Sequence, residues 1–222
     1  MARTPSNMVE LGSIAPNFNL INTVDDKFIS SDDCFSKKGT LIMFICNHCP
    51  FVIHVIDEII KISNQYTNEI DFVAISSNDV INYPDDAPEL MKKLAIDKSF
   101  NFPYLYDENQ DVAKAYDAAC TPDFFLYNDE KKLIYRGQLD DSRPGNEKSV
   151  DGKDLRNALD CLIKNVKNNF PQNLKITSIS EDDKIIMSFK HELFSIYGVQ
   201  YHPESIETLV GSKIIENFMD CI

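Results

Sequence analysis

Thr40-Leu41-Ile42-Met43-Phe44-Ile45-Cys46-Asn47-His48-Cys49-Pro50-Phe51-Val52-Ile53-His54-Val55 is the stretch that decides the fold. Thr40 to Ile45 is a compact apolar run of the kind found in a strand buried on both faces. It leads directly into two cysteines separated by two residues. Beyond them Val52, Ile53, Val55, Ile56, Ile59, Ile60 and Ile62 fit a long helix from Pro50 to about Asn64. Pro50 suits a first helical turn, where its missing N–H is no loss.

A strand, a C-x-x-C pair and a helix in that order have a clear chemical use. The first turn of a helix leaves its N–H groups unpaired, and the macrodipole places partial positive charge there. A thiolate at that point is stabilised and reactive at neutral pH. A second thiol three residues away can close a disulfide with it, so the pair exchanges two electrons with a substrate disulfide. The sequence suggests Cys46, at the helix mouth, as the attacking thiol and Cys49, one turn in, as the resolving thiol. His48 between them would stabilise a Cys46 thiolate as an imidazolium and make the disulfide more oxidising. The competing readings of the pair are a zinc half-site or two buried thiols. Zinc needs two further ligands; no second C-x-x-C exists, and His54 falls inside the apolar helix pattern. The reading calls for no cofactor and no resident metal.

Working outward, Asn17 to Ile21 and Lys27 to Ser30 read as short strands near a turn at Asp25-Asp26. Asp71 to Ser76 is a second buried strand, Pro88 to Ile96 a helix, Phe102 to Tyr106 a short strand and Gln110 to Ala118 a short helix. Asp123 to Tyr127 and Lys132 to Gln138 form a hairpin through Asn128-Asp129-Glu130. Asp154 to Val166 is an amphipathic helix with Leu155, Leu159, Leu162 and Ile163 on one face. The order β-α-β-α-β-β-α predicts an α/β domain whose central mixed sheet is flanked by helices. Thr121-Pro122 enters the strand Asp123 to Tyr127. A proline here is either a plain turn residue or a cis proline that exposes backbone to a docked substrate. Cys120, two residues before it, is a third redox thiol or a small buried residue. Cys34, Cys161 and Cys221 read as structural or incidental.

The chain has 222 residues, 43% of them apolar and 26% charged, and a formal net charge of −13. Such a surface repels phosphate backbones and anionic lipid, which argues against nucleic acid and membranes as partners. The polar start, Met1 to Val9, is not a secretory signal, and no stretch approaches the ~18–20 apolar residues of a membrane span. The cytoplasm is the expected compartment, where six cysteines do not read as a structural disulfide framework.

Four segments carry a resemblance: Gly12-Ser13-Ile14-Ala15-Pro16-Asn17-Phe18, Phe44 to Val52, Cys120-Thr121-Pro122-Asp123-Phe124-Phe125 and Tyr135-Arg136-Gly137-Gln138-Leu139. Residues 10–168 resemble the thioredoxin-like superfamily on its peroxiredoxin-like side (AhpC/TSA, redoxin). The resemblance implies the thioredoxin fold, thiol–disulfide or peroxide-linked chemistry, and substrate docking at Thr121 and Pro122. Cys49 falls where peroxiredoxins carry their peroxidatic cysteine, but Ile42 and Cys46 stand at the positions of their proline and Thr/Ser. Arg136 and Arg143 are candidates for the supporting arginine. Thioredoxin's buried carboxylate corresponds to Thr40, so proton transfer is expected to use His48 or water instead.

Phe170-Pro171-Gln172-Asn173 breaks the pattern, and the sequence suggests a boundary near residue 168, separating a domain at 1–168 from a fragment at 169–222. In the fragment, strands are expected at Lys184 to Lys190 and Ile196 to Tyr201, with a helix at about Glu207 to Met219. Tyr197 to Thr208 and Lys213 to Phe218 resemble the end of a class I glutamine amidotransferase, nearest the glutaminase component of anthranilate or aminodeoxychorismate synthase. His202 and Glu204 match that family's His and Glu. Its nucleophile lies in Gly-x-Cys-x-Gly, and no cysteine here has that setting. Without nucleophile and oxyanion hole the pair is expected to be inactive. The fragment would expose Ile185, Phe189, Leu209 and Phe218.

The expected function is thiol–disulfide exchange through Cys46 and Cys49, on a disulfide-bearing protein or a small thiol or peroxide, with an unidentified external reductant. The alternatives are a peroxide-reducing enzyme of peroxiredoxin type and a non-catalytic thioredoxin-like module.

Overall fold

The computed structural model describes residues 6–164, 174–179, 186–194, 196–199, 213 and 216. The chain divides into two compact units, Met1–Val166 and Lys167–Ile222.

The first unit is built on a seven-stranded mixed sheet. Its strands are β1 (Asn19–Asn22), β2 (Phe28–Ser30), β3 (Gly39–Phe44), β4 (Ile70–Ser76), β5 (Tyr104–Tyr106), β6 (Asp123–Asn128) and β7 (Leu133–Gly137), in the spatial order β2-β1-β5-β4-β3-β6-β7. The helices are α1 (Pro50–Tyr66), α2 (Pro88–Asp97), α3 (Asp111–Ala115) and α4 (Lys153–Ile163). β3 pairs in parallel with β4 and antiparallel with β6. Every residue of β3 is buried, as its apolar run implies.

The pleat of β3 divides the core in two. Leu41, Met43 and Ile45 face one side with Val52, Val55, Ile56, Ile59 and Ile62 of α1 and Leu155 and Leu159 of α4. Ile42 and Phe44 face the other, with Val73 and Ile75 of β4, Val112 of α3 and Phe125 of β6. Ile59 is 1% exposed, and truncating such a residue to alanine costs about 2–5 kcal/mol. At the start of β3, Gly39 is required by space: a Cβ there would collide with Leu162 and with the carbonyl oxygen of Tyr127.

The expected α/β sheet and its helices are present, with shifted ends. Gln110 to Ala118 shortens to α3 at Asp111–Ala115, because Tyr116 and Asp117 leave the helix, the latter at φ 52°. β5 begins at Tyr104 rather than Phe102. The hairpin turn closes after Lys131, at φ 60°. Among the described residues no helix is long and apolar enough to cross a membrane.

In the second unit β8 (Leu174–Ile179), β9 (Ile186–His191) and β10 (Tyr197–Val199) form an antiparallel sheet in the order β10-β9-β8. The sequence reading expected two strands and missed β8, whose Lys175-Ile176-Thr177 alternation is short and follows a chain break in pattern. Gly198 lies opposite Phe189, and the Phe189 ring occupies the space that a Cβ at Gly198 would need. Phe189, expected to be exposed, is half-buried for this reason. Ile185, Leu209, Phe218 and most of the expected helix at Glu207 to Met219 lie outside the described residues.

Candidate active site

β3 delivers the chain to the site. The Ile45 N–H extends its ladder to the carbonyl of Ile75, 3.0 Å away, and Cys46 to Cys49 then cross to α1. Cys49 is the N-cap of α1, and Pro50 takes the first helical position. This corrects the expected order of exposure. Cys46 is not at an open helix mouth but 1% exposed, whereas Cys49 is half-buried and borders two clefts. Cys46 follows directly on the fully buried β3 and stays buried with it, whereas Cys49 caps α1 beside the clefts.

The two thiols are shifted in opposite directions. Hydrogen bonding with Cys49, then burial, then the charge of Asp86 push the Cys46 thiol well above its ordinary value. The Cys49 thiol is pulled below its ordinary value, first by the hydrogen bond from Cys46 and, against the cost of burial, by the Thr121 hydroxyl and the backbone N–H groups of Val52 and Phe51. No side-chain cap hydrogen bond closes at Cys49, so the helix end acts on its sulfur through the dipole and the N–H groups of the first turn. Of the two, Cys49 is the thiol more readily ionised.

Thr121 touches both sulfurs. Its Oγ1 is 3.3 Å from Cys46 Sγ, and its carbonyl oxygen is 3.3 Å from Cys49 Sγ. The Thr121–Pro122 peptide bond is cis. Cys120 is half-buried and borders both clefts with Cys49. Its sulfur lies 3.4 Å from Ser6 Oγ, and burial raises its pKa, with Asp123 adding to the effect.

The loop between the cysteines hangs on a residue that sequence reasoning did not single out. Asp86, 0% exposed, closes a short helical turn at Pro84–Asp86. Its Oδ1 accepts the N–H groups of Asn47 at 2.7 Å and His48 at 3.2 Å. Its Oδ2 accepts His48 Nδ1 at 2.6 Å and the Asn78 amide at 2.7 Å. Asn47 is held further by the Asp85 carbonyl and the Tyr104 hydroxyl. His48 thus points its Nδ1 at a carboxylate and stacks on Tyr83, with ring centroids 4.5 Å apart; the expected direct pairing with a Cys46 thiolate is replaced by this partnership. An Asp just ahead of Ala87-Pro88 resembles an ordinary helix-start residue, and so it hid.

Neither arginine candidate donates to a thiol. Arg136 forms a two-pronged ion pair with Asp123, both side chains buried, and lies 3.9 Å over the Phe125 ring. Arg143 donates to the carbonyls of Asp140 and Ser142 and to the Gln138 amide oxygen. It lines the first cleft, about 540 Å³, beside Cys49, His54 and Pro122. His54, expected within the helix core, instead turns its Nε2 to Ser142 Oγ at 2.8 Å on this cleft. The second cleft, about 630 Å³, is bordered by Cys49, His48, Tyr83, Asn78 and Lys114. Volumes of this order suit a small molecule or an extended peptide side chain.

Cys46, His48 and Asp86 place one potential ligand atom each within 4.8 Å of one another. The two Asp86 oxygens already accept four hydrogens between them, and His48 Nδ1 is committed to one. A bound ion would break that network, so these donors do not fit a resident metal. His202 and Glu204 lie outside the described residues.

Residues 10–153 match the Redoxin family, and residues 160–221 match Glutamine amidotransferase class-I. A crystal structure of an uncharacterized conserved protein from Geobacillus kaustophilus shares 52% identity over 74% of this chain and 89% of that one, with a TM-score of 0.72. The thioredoxin domain of a thiol-disulfide oxidoreductase from Bacteroides vulgatus shares the fold at 19% identity, covering 70% of this chain and 99% of that domain, with a TM-score of 0.55. The C-terminal piece is 49% identical over 47 residues to anthranilate synthase component 2 of Saccharolobus solfataricus, covering 21% of this chain and 24% of that protein. The chain spans about a quarter of the length of the curated relatives it matches. With the match covering well over half its residues, together with a thioredoxin-like sheet and a C-x-x-C pair at the start of α1, the chain belongs to the Redoxin family.

Proposed function

We propose that the protein is a thiol–disulfide oxidoreductase that works through the Cys46–Cys49 couple, with Cys49 as the attacking thiol. The observation that carries this reading is the asymmetry of the pair: Cys49 is the more acidic and the more open thiol, and Cys46 is buried behind it. The Cys49 thiolate attacks a substrate disulfide, forming a mixed disulfide and expelling one substrate thiolate. Cys46 then attacks the Cys49 sulfur, closing the Cys46–Cys49 disulfide and releasing the second thiolate. The substrate gains two electrons, and an external thiol restores the dithiol. The cis Pro122 segment and the two clefts beside Cys49 suit a disulfide-bearing peptide or a small disulfide.

Peroxide reduction is the second reading, favoured by one observation: the Thr121 hydroxyl stands beside both sulfurs, offering a donor where Cys46 has displaced the peroxiredoxin Thr/Ser. Against it, Arg136 and Arg143 are both committed elsewhere. The residues 1–168 constitute the redox domain in this reading. Residues 169–222 are an amidotransferase remnant, with His202 and Glu204 lacking a nucleophile.

Reduction of a synthetic disulfide and of hydrogen peroxide, measured side by side, tests the choice. Disulfide turnover that exceeds peroxide turnover and vanishes in Cys49→Ser supports the first reading. Turnover that survives in Cys49→Ser defeats both.

A further inference from the structure

We infer that Asp86 and His48 act as one unit that takes the proton from Cys46 when the mixed disulfide on Cys49 is resolved. This rests on the thiol–disulfide reading above. In that reading the Cys46 thiol is the donor, and Cys49 the acceptor, of the hydrogen bond between the two sulfurs. Once Cys49 carries a substrate sulfur, that acceptor is gone, and Cys46 must shed its proton elsewhere before it can attack.

The neighbours of Cys46 narrow the choice. Thr121 offers an alcohol at 3.3 Å, which is no base. Tyr104 from β5 is 0% exposed, and burial holds its phenol protonated. Lys114 and Asp117 stand in the outer cleft with Cys120. Tyr83 only covers the face of the His48 ring. That leaves the Asp86–His48 pair, one carboxylate oxygen and one ring nitrogen of which lie within 4.8 Å of Cys46 Sγ and of each other; with both Asp86 oxygens already accepting two hydrogens each, the ring takes the proton and the carboxylate holds the ring. This is the span of a small rotation or one bridging water. Asp86 is sealed from solvent, while the His48 side chain is 27% exposed and borders the second cleft. The pair therefore joins a buried thiol to an open exit.

The step balances as follows. The Cys46 proton passes to the Asp86–His48 unit, and Cys46 sulfur attacks Cys49 sulfur. The Cys46–Cys49 bond forms as the bond from Cys49 to the substrate sulfur breaks. The departing thiolate takes its proton from the unit or from water. Thioredoxin's carboxylate position is Thr40 here, and Thr40 Oγ1 is bound to the Cys34 carbonyl, so the service comes from a different element.

The role can be separated from mere charge, because the two predict opposite signs. As a charge alone, Asp86 raises the Cys46 pKa, and its removal would speed resolution. As a proton acceptor, its removal slows resolution. The probe is 5,5′-dithiobis(2-nitrobenzoate), substoichiometric to the reduced full-length protein in a stopped-flow mixer. One chromophore is released as Cys49 attacks, and a second as Cys46 resolves. Cys49→Ser gives the background from the other thiols. In Asp86→Asn the amide oxygen can still accept the Asn47 and His48 N–H groups, which keeps the loop; His48→Gln is an independent variant that leaves the backbone contacts alone. General acid–base help is typically worth about 10²–10⁴-fold. The ratio of second to first release rates is expected to fall at least about tenfold in both variants, with a steeper dependence on pH. A second release as fast as wild type, or faster, in both variants at every pH overturns the inference. A first release in Cys49→Ser with the rate and amplitude of wild type instead overturns the underlying reading.

Discussion

Thr121 meets Cys49 backbone to sulfur, its carbonyl oxygen 3.3 Å from Sγ, and meets Cys46 side chain to sulfur, its hydroxyl 3.3 Å from that Sγ. One residue thus bridges both thiols. The Thr121 hydroxyl also helps to hold the Cys49 pKa down, second among the favourable influences to the hydrogen bond from Cys46. Thr121→Val should therefore raise that pKa and slow alkylation of Cys49 several-fold below the ordinary thiol range. Iodoacetamide kinetics with peptide mapping is the check; an unchanged profile contradicts the assignment.

The same asymmetry fixes a pH dependence. A group with a lowered pKa is ionised from that lowered value upward, so Cys49 should remain reactive toward iodoacetamide well below the ordinary thiol value of 9.0. Removing its donor with Cys46→Ala should move the alkylation midpoint of Cys49 upward. A midpoint that stays or moves down contradicts the hydrogen bond between the sulfurs.

The Arg136–Asp123 pair is a structural device. Both side chains are sealed, at 0% and 1% exposed, and Arg136 Nε has no partner among the described protein atoms. Breaking a buried pair from one side strands a charge and typically costs about 3–5 kcal/mol. Asp123→Asn is expected to lower urea-unfolding stability by that order. Arg136→Met should do likewise by leaving Asp123 with Ser6 alone, 2.6 Å away. A loss below about 1 kcal/mol in both would show that the pair is not desolvated.

Truncation after residue 168 tests the division of labour. The shortened protein is expected to keep its disulfide-reducing rate within about twofold, since the full core of the first unit ends with α4. Loss of folding or activity would give the C-terminal piece a working role. The full chain should release no ammonia from glutamine, because no cysteine sits in Gly-x-Cys-x-Gly.

The parts of the fold legible in the sequence are those set by local pattern. The run ending at Ile45 is the central strand because only a doubly buried strand uses such a run, and the α1 stripe from Val52 to Ile62 is core because its spacing is helical. Pro122 and the two cysteines were likewise visible as spacing. What escaped depends on contacts between distant residues. Asp86 bonds to Asn47 and His48 across 39 and 38 residues, and no local signal marks that. The order of exposure of Cys46 and Cys49 depends on what packs over each of them in the folded domain, which the helix start at Pro50, legible in the sequence, does not reveal. β8 was missed because its apolar alternation is weak and, among the described residues, it pairs with a strand that comes later in the chain.

The most direct test of the Cys46–Cys49 mechanism is intact-mass and peptide mapping of the adduct left when each single variant meets a disulfide substrate. Cys46→Ser should accumulate a stable mixed disulfide on Cys49, and Cys49→Ser should accumulate none on Cys46. A stable adduct on Cys46 in Cys49→Ser, with none on Cys49 in Cys46→Ser, would contradict the assignment of Cys49 as the attacking thiol.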